Sequence, residues 1–548
     1  MSKAARSTIA IAVGSNLGDR FHNIESALRL LEGPHKLFND VQPDVTLSLV
    51  NTSFLYETAP MYVTDQPSFI NCACIIETDL PPLQLLTLLK TIETTVGRVP
   101  SIRNGPRAVD LDIIFYGSDI VDTRPGDQRD NLDNLLGQVV IPHPRMTERE
   151  FVLRPLSDMI PDFIHPVLGI SITSLLANLP VNLDDPPMIK VIPFPDYTPA
   201  PSGLVPDTVP PTLSHWTFGN NSPARRKTQI MATLNATPDS FSDGSINNTI
   251  STGLSYARAS VAAGASIIDI GGYSTRPGAA FVSSSDEQNR VVPLISAIRR
   301  ISPAGDDDTT AEALRRVPIS IDTFRWEVAE AAILAGANCI NDVYAFTGTH
   351  SYPPTTETEI ELVSQHMEAM KRVARKYATP VILMHSRGDA GSNKEYDQYS
   401  YAGGLSVVEG VKVELGAKVD AIVKGKGGVR RWLVIVDPGI GFSKTVAGNL
   451  QLLRCAGDIT SSKDVGEKFT RPNPLQGYPS LIGASRKSFL GALLSEGDSG
   501  RQTEPKERDW ATAAAVSCAI QQGATVVRVH NVVALSDVVR MADAIWSC

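Results

Sequence analysis

A chain of 548 residues is longer than one ordinary core can organise, so about three to four domain-sized units are expected, a number that large barrels shift towards two. With 42% hydrophobic and 20% charged residues the composition is that of a globular protein, and the absence of any run of eighteen apolar residues excludes a membrane-spanning helix. A net charge of −9 without a basic stripe excludes nucleic acid as a main partner.

Six scattered cysteines without a CxxC pair read as reduced thiols, which points to a cytoplasmic protein, with a mitochondrial address as the alternative. Ser7–Val13 (STIAIAV) reads as a strand, followed by GSNLGDR and a helical pattern over Phe21–Leu31. Two β-rich runs come next, Val45–Glu57 and Phe69–Thr78, separated by a Pro-containing turn. Cys72 and Cys74 lie two apart on the second run and share a face, which reads as core packing rather than metal binding. Leu83–Val96 is an amphipathic helix, a basic loop follows, and Val109–Tyr116 is a further strand. The order β-α-β-β-α-β is the split, ferredoxin-like α+β pattern, expected over residues 1–180.

Residues 181–226 read as a linker. Eleven prolines fall between Pro180 and Pro223 inclusive, and no helical or strand period is sustained, so the segment is expected to be extended and semi-rigid. Within it, Met188–Phe194 is the part suited to lie along a neighbour.

From Thr228 strands and helices alternate over residues 227–548. Strands are expected at Gln229–Leu234, Ser266–Ile270, Pro318–Ile321, Cys339–Asn341, Pro380–Met384, Trp432–Val436, Ser480–Ile482 and Thr525–Val529. Helices fall between them, among them Thr252–Ala263, Glu327–Ala335, Ile360–Lys376, Val407–Val423 and Asp509–Gln521. Eight βα repeats predict a (β/α)8 TIM barrel. Acidic Ala304–Ala313, Thr347–Thr358, Asp389–Gly404 and Ser461–Gln476 are expected to be surface insertions.

In the first unit the chemistry gathers at Arg107-Ala-Val-Asp110-Leu-Asp112. Residues i and i+2 of a strand face one way, so both carboxylates point to one side. Two carboxylates together with phosphate oxygens suit Mg²⁺. Alone the pair would be a solvated strand face; Arg98, Arg103 and Arg107 just before it add a grip for a polyphosphate.

These residues, with GSNLGD, Phe69-Ile-Asn71, GPR…DLDI and Ile141-Pro-His143-Pro, resemble the 6-hydroxymethyl-7,8-dihydropterin pyrophosphokinase family over Ile9–Leu156. The resemblance implies transfer of diphosphate from ATP to a pterin hydroxymethyl group, with two Mg²⁺ at Asp110 and Asp112. It implies that Thr58 and Asn71 bind the pterin, that Phe69 and Phe151 sandwich its ring, and that Arg98, Arg107, Asp110 and Asp112 are catalytic. Glu93, Arg98, Arg103, Arg107 and His143 would form the ATP site. The chain departs from the family in having Phe69 for a common Tyr and Asn104 for a common Trp before GPR. The first change keeps the stacking ring; the second removes a lid contact.

In the barrel the strand ends carry the signal: Asn235, Asp269 with Gly271-Gly272, Asp322, Asn341, His385, Asp437, Ser485 with Lys487, and Arg528 with His530. That end of a barrel holds the active site. Asp322, Asn341, Asp437 and Lys487 offer paired donors and acceptors for a flat heterocycle with a guanidine-like edge. Arg276, Arg528, His530 and Asn235 offer an anion site, Asn235 through a metal. The bland readings are a salt-bridged rim for Arg528 and His530 and a surface lysine for Lys487.

NATPDSFSDG, GGYSTRPGA, SIDTF, INDV, LMHSRG, DPGIGFSK and GASRKS then resemble the dihydropteroate synthase family from Ile230 to the C-terminus. The resemblance implies that a pterin diphosphate reacts with p-aminobenzoate to release pyrophosphate. It implies pterin binding by Asp322, Asn341, Met384, Asp437, Phe442 and Lys487, with Lys487 and Arg276 catalytic. Asn235, Arg276, Arg528 and His530 would hold the diphosphate, with one Mg²⁺ at Asn235. Phe241, Thr275, Pro277 and Ser488 would border p-aminobenzoate, and Ala236–Gly244 and Tyr273–Ala279 would be the mobile loops. Asn531 replaces an Asp that many relatives carry after RVH.

The combined expectation is a bifunctional folate-synthesis enzyme acting on small molecules, with a homodimer through the barrel as its oligomeric form. Two alternatives stand beside it. One is a pterin-dependent methyltransferase barrel, which should lack SRKS and the Gly/Pro loops. The other is a pterin-binding regulatory protein with one inactive domain.

Overall fold

The computed structural model describes residues 7–34, 46–129, 135, 137–180, 186–197, 208–219, 227–236, 250–274, 279–302, 308–349, 354–467 and 470–546. The chain divides into two compact units. One gathers Met1–Pro193 with His215–Thr217 and Val423–Trp432; the other gathers Phe194–Ser214, Phe218–Ile422 and Leu433–Cys548.

The first unit is built on strands β1 (Ser7–Ser15), β2 (Leu47–Thr52), β3 (Leu55–Thr58), β4 (Phe69–Thr78) and β5 (Asp110–Tyr116), with β6 (Val121–Asp122) and β7 (Val140–Ile141) forming a small separate pair. Strand β4 is antiparallel to β1, β2 and β3 and is buried along most of its length. It lacks the usual apolar/polar alternation because both faces are covered. Ala73 and Ile75 enter a core with Ile114, Phe115 and Leu153, under the helix Glu150–Ser157. Cys72 and Cys74 point the other way by the strand's period of two and are buried as well, where burial pushes both thiols up. The GSNLGD motif has a structural part to play here: its Asp19 caps the helix Arg20–Glu32, accepting from His22 N at 3.1 Å.

The Pro-rich segment is more ordered than its composition implies. Strands β8 (Ile189–Pro195) and β9 (Thr212–Phe218) extend the sheet to the order β5-β1-β4-β3-β8-β9. Register with β3 runs only over Ile189–Val191, so Pro193 and Pro195 lie beyond those pairs and their missing N–H groups cost the β3 ladder nothing. Burial of Val191, Ile192 and Phe194 supplies the apolar contact that a proline count conceals.

The second unit contains eight parallel strands: β10 (Gln229–Asn235), β11 (Ile267–Gly271), β12 (Ile319–Asp322), β13 (Cys339–Asp342), β14 (Val381–Met384), β15 (Val434–Asp437), β16 (Leu481–Ile482) and β17 (Val526–Val529). Their order is β15-β14-β13-β12-β11-β10-β17-β16. A parallel bridge between Val436 and Ser480, with Val436 N donating to Pro479 O at 2.9 Å, closes the ring. The strands are short, rich in Val and Ile and buried except at half-buried Asn235, Asp322 and Arg528, as expected where side chains fill the barrel on one face and helices cover the other.

Three stretches expected as surface insertions are built more firmly. Within Ala304–Ala313, Asp308 accepts from Ala311 N at 3.0 Å and starts the helix Thr309–Arg316, so part of the acidic run is a helix cap. Asp389–Gly404 buries Tyr396, and Ser461–Gln476 buries Val465, Asn473 and Leu475. In Thr347–Thr358, residues 350–353 lie outside the described residues. Among the described residues, no helix is long and apolar enough to cross a membrane.

Candidate active sites

In the first unit, antiparallel register places Asp110 of β5, Gly14 of β1 and Asn71 of β4 in one row. Thr58, Phe69, Arg107, Asp112 and Phe151 line the same cleft. Asn71 Nδ2 donates to Thr58 Oγ1 at 2.8 Å, which fixes the amide from one side. A Cβ on Gly14 would lie 2.7 Å from Asn71 Oδ1, so only glycine leaves the amide in place.

Asp110 accepts from Arg98 Nη1 at 2.6 Å and from Arg107 Nη1 at 2.8 Å. Burial opposes its charge, but Arg107, Lys90 and Arg98 outweigh that and hold the carboxyl below its ordinary range. Glu93, expected in the ATP site, is buried behind these groups. It accepts from Lys90 Nζ at 2.7 Å, from Leu111 N at 2.8 Å and pairs with Arg98 at 2.6 Å. Burial pushes its carboxyl up against the pull of Lys90 and Arg98. Its direct partners are therefore the cations and strand β5.

Arg103 is exposed on the preceding loop. His143 donates its backbone N–H to Ile114 O at 3.0 Å and accepts from Arg145 N at 3.2 Å through Nδ1; burial lowers its imidazole. Two residues without an assigned role join this site. Asn16 accepts from Arg107 N at 2.8 Å and donates to Pro67 O at 3.1 Å, tying two loops together; its place in GSNLGD was the available signal. Arg149 lies 5.7 Å from the Phe151 ring and 5.6 Å from the Tyr62 ring, a pairing that no local spacing announces.

The donor set suits Mg²⁺. Two carboxylates at i and i+2 open on one cleft, and Mg²⁺ takes few protein oxygens while keeping water and phosphate ligands. Asp110 would exchange guanidinium partners for the ion. In the barrel, Asn235 offers one neutral oxygen, so an ion there would draw most of its ligands from diphosphate and water. Among the described residues no cluster of three or more His, Cys, Asp or Glu side chains could hold a metal.

The barrel's parallel register brings its strand ends level: Asn235 pairs with Gly271, Gly271 with Asp322, and Asp322 with Asn341. Met384 pairs with Asp437 across β14 and β15. Arg528 spans the floor of this ring, donating from Nε to Asp269 Oδ2 at 2.6 Å and from Nη2 to Asp322 Oδ2 at 2.8 Å. Asn341 Nδ2 donates to the same Asp269 oxygen at 3.2 Å. Burial and the neighbouring Asp269 push the Asp322 carboxyl up to about 7, against the pull of Arg528. Asp269 is the hub of this group, buried with zero exposure, and it compensates a guanidinium read from sequence as a diphosphate ligand.

Asp437 accepts from Gly439 N at 2.7 Å, and burial raises its carboxyl against the pull of Lys487. Lys487 Nζ donates to Ile440 O and lies 4.6 Å from the Phe442 ring centroid. Gly441 permits this approach, since a Cβ there would fall 2.6 Å from Lys487 Cδ. His530 Nδ1 shares a hydrogen bond with Ser485 Oγ at 3.0 Å, and the His530 backbone N–H donates to that oxygen at 3.3 Å. Ser488 is exposed at the first position of the helix Ser488–Leu494. Phe241, Thr275, Arg276 and Pro277, with most of Ala236–Gly244 and the middle of Tyr273–Ala279, lie outside the described residues.

Residues 231–530 match the model of the pterin binding enzyme family, and residues 10–161 match that of 7,8-dihydro-6-hydroxymethylpterin-pyrophosphokinase, HPPK. A folic acid synthesis protein of Pneumocystis carinii is 35% identical over 544 residues, 98% of this chain and 60% of that protein. The chain thus spans under two thirds of that relative's length. A folate synthesis bifunctional protein of Arabidopsis thaliana is 33% identical over 546 residues, 98% of this chain and 96% of its own. The solved structure of Plasmodium falciparum HPPK-DHPS with pterin and p-hydroxybenzoate shares the fold, at TM-score 0.68 and 19% identity, covering 100% of this chain and 98% of that one. Two family matches on two separately built sites, together with similarity along nearly the whole length, place the chain in the bifunctional folate-synthesis family that joins an HPPK unit to a dihydropteroate synthase barrel.

Proposed function

We propose that the chain makes dihydropteroate in two consecutive steps, one at each site. The observation that carries this reading is that each unit gathers its own set of polar groups. One set is the row Asp110–Gly14–Asn71 with Arg98 and Arg107; the other is the ring Asp322, Asn341, Asp437, Lys487 and Arg528.

In the first step, Asn71, steadied by Thr58, reads the pterin edge while Phe69 and Phe151 flank the ring. Arg98 and Arg107 neutralise the transferring diphosphate, with Arg103 and His143 beside the nucleotide and Glu93 holding Arg98 in place. Mg²⁺ at Asp110 and Asp112, when bound, supplies further neutralisation of phosphate charge. Positioning and charge stabilisation of this kind are what phosphoryl transfer needs.

In the second step, Asp322, Asn341, Asp437 and Lys487 hold the pterin heterocycle, between Met384 and Phe442. His530, positioned by Ser485, faces the leaving diphosphate together with Arg276 and Asn235, the last being the place for one Mg²⁺. The carbon–oxygen bond to diphosphate breaks, the p-aminobenzoate nitrogen bonds to the pterin methylene carbon, and the amine gives up a proton. Thr275, Pro277, Phe241 and Ser488 border the p-aminobenzoate. Arg528 completes the diphosphate-binding set and also keeps Asp269 and Asp322 compensated.

The Plasmodium falciparum HPPK-DHPS of the same fold was solved with pterin and p-hydroxybenzoate, a ring of the same shape as the p-aminobenzoate proposed here. A homodimer through the barrel is also proposed, supported by exposed Val533, Met541 and Ile545 on the helix Val532–Trp546. A sedimentation measurement at micromolar concentration decides it, since a monomer there removes the proposal.

The decisive experiment is a coupled assay with hydroxymethyldihydropterin, ATP, Mg²⁺ and p-aminobenzoate. Dihydropteroate should appear, Lys487→Ala should abolish it while AMP formation continues, and Asp110→Ala with Asp112→Ala should stop AMP formation. Dihydropteroate at the wild-type rate from Lys487→Ala would refute the assignment of the second site.

A further inference from the structure

A buried polar cluster lies behind the turn Asp437–Lys444, and none of the roles above uses it. At its centre is Glu414 of the helix Ser406–Val423, whose two oxygens receive four donors. His385 Nε2 lies at 2.9 Å, Arg387 Nε at 2.9 Å and the Tyr399 hydroxyl at 3.0 Å, and Arg387 Nη2 completes the set. Burial opposes the charge, but Arg387 and His385 hold the carboxyl down at about 2. A carboxylate so surrounded is acceptor-only.

That anion decides the tautomer of His385. The imidazole is wholly buried, and burial together with Lys444 pulls it down to about 3, so it is neutral. Facing an acceptor, Nε2 carries the proton and Nδ1 presents a lone pair. Lys444 Nζ meets that lone pair at 3.1 Å and also donates to Phe442 O at 2.8 Å. Burial pulls Lys444 down to about 7, but both the ammonium and the amine can donate twice.

A second arm reaches the same turn. The Tyr396 ring stacks on Arg387 at 3.7 Å, and its hydroxyl donates to Ser443 O at 3.2 Å. The turn has no slack against these groups: a Cβ on Gly439 would fall 2.1 Å from His385 O and 3.3 Å from Lys444 Nζ.

We infer that Glu414 is a positioning residue for the pterin site, acting through His385 and Lys444 on the turn that carries Asp437 and Phe442. The inference rests on the reading of that turn as a wall of the pterin pocket. Glu414 touches no reacting atom; it sets which nitrogen of His385 accepts and hence where Lys444 pins the turn.

The test is Glu414→Gln in the full chain. A carboxamide keeps the shape but has one acceptor oxygen; Arg387 straddles both positions, and with that oxygen held by Arg387 Nη2 and the Tyr399 hydroxyl the NH₂ faces His385 Nε2. The imidazole proton then moves to Nδ1, where it meets a donor, and Lys444 must release a proton or turn away. The KM for the pterin diphosphate should rise at least about tenfold, with the KM for p-aminobenzoate and AMP formation by the first unit unchanged. Imidazole ¹⁵N shifts should report the change of tautomer, which a merely structural role would not produce. Because the route runs through Lys444, adding Glu414→Gln to Lys444→Met should cost less than about threefold more. Should Glu414→Gln fail to fold, His385→Gln keeps the donor to Glu414, removes the Nδ1 acceptor and should raise the same KM. An unchanged pterin KM, or full additivity with Lys444→Met, overturns the inference. If that happens while Lys487→Ala is inactive, the pterin reading itself stands.

Discussion

Arg528 Nη2 donates to Asp322 Oδ2 at 2.8 Å, and this ion pair opposes, without overcoming, the burial that favours the protonated acid at the centre of the barrel site. Burial and Asp269 push Asp322 up to about 7 while Arg528 pulls the other way. If the ionised carboxylate is what accepts the pterin's N–H groups, kcat/KM for the pterin diphosphate rises with pH through about 7 and then levels, because that ratio reports the free protein. Asp322→Asn should remove this limb along with most of the activity. A kcat/KM that falls with pH across this range would contradict the role given to Asp322.

Glu93 ties the cations of the first site to strand β5 through Lys90, Arg98 and Leu111 N. Glu93→Gln leaves part of that donor set unpaired, at a cost of about 1–3 kcal/mol. ATP-dependent AMP formation should drop roughly tenfold or more with Arg98 no longer aimed at Asp110, while condensation of supplied pterin diphosphate continues. Equal loss at both sites would show a general folding defect instead.

Gly14→Ala is a sharper probe of the pterin edge. The added methyl would sit 2.7 Å from Asn71 Oδ1, so the amide must move off Thr58, a local clash worth about 1–3 kcal/mol. The KM for hydroxymethyldihydropterin should rise while that for ATP stays near wild type. A rise confined to ATP would place Asn71 outside the pterin site.

His385 makes the barrel sensitive to acid. Its imidazole stands at about 3 in the folded chain against an ordinary 6.5, so between these values the unfolded chain binds the extra proton. Its contribution is fully present above pH 6.5 and is lost as pH falls towards 3, on the order of a few kcal/mol. His385→Gln keeps the bond to Glu414 but cannot titrate. Its thermal midpoint should therefore fall less steeply than wild type from pH 6.5 to 4.5; parallel slopes would remove His385 as the cause.

Legibility followed the range of the interactions. The eight barrel strands lie within about two residues of where the sequence puts them, since each apolar run ending on a polar residue is a local signal of a buried parallel strand. Asp110 and Asp112 share a face because a strand has period two, and the two family resemblances covered the motifs around them. Strand β8 was legible only as a segment, Met188–Phe194, suited to lie along a neighbour, and β9 was hidden, because proline content describes a segment by itself whereas pairing depends on the edge it meets.

What the sequence determined by itself is therefore the pair of architectures, the strand ends and the types of residue gathered there. Which of those residues hold one another was decided by tertiary structure. Arg528 answers to Asp269 and Asp322 because the barrel closes β17 beside β10 and brings residues more than two hundred positions apart within 3 Å. Glu414 meets His385, and Lys444 meets His385 from the other side, only because a helix and a turn pack against the same strand end. Hydrogen bonds and ion pairs act over a few ångströms, and sequence spacing carries that distance only within a single helix or strand.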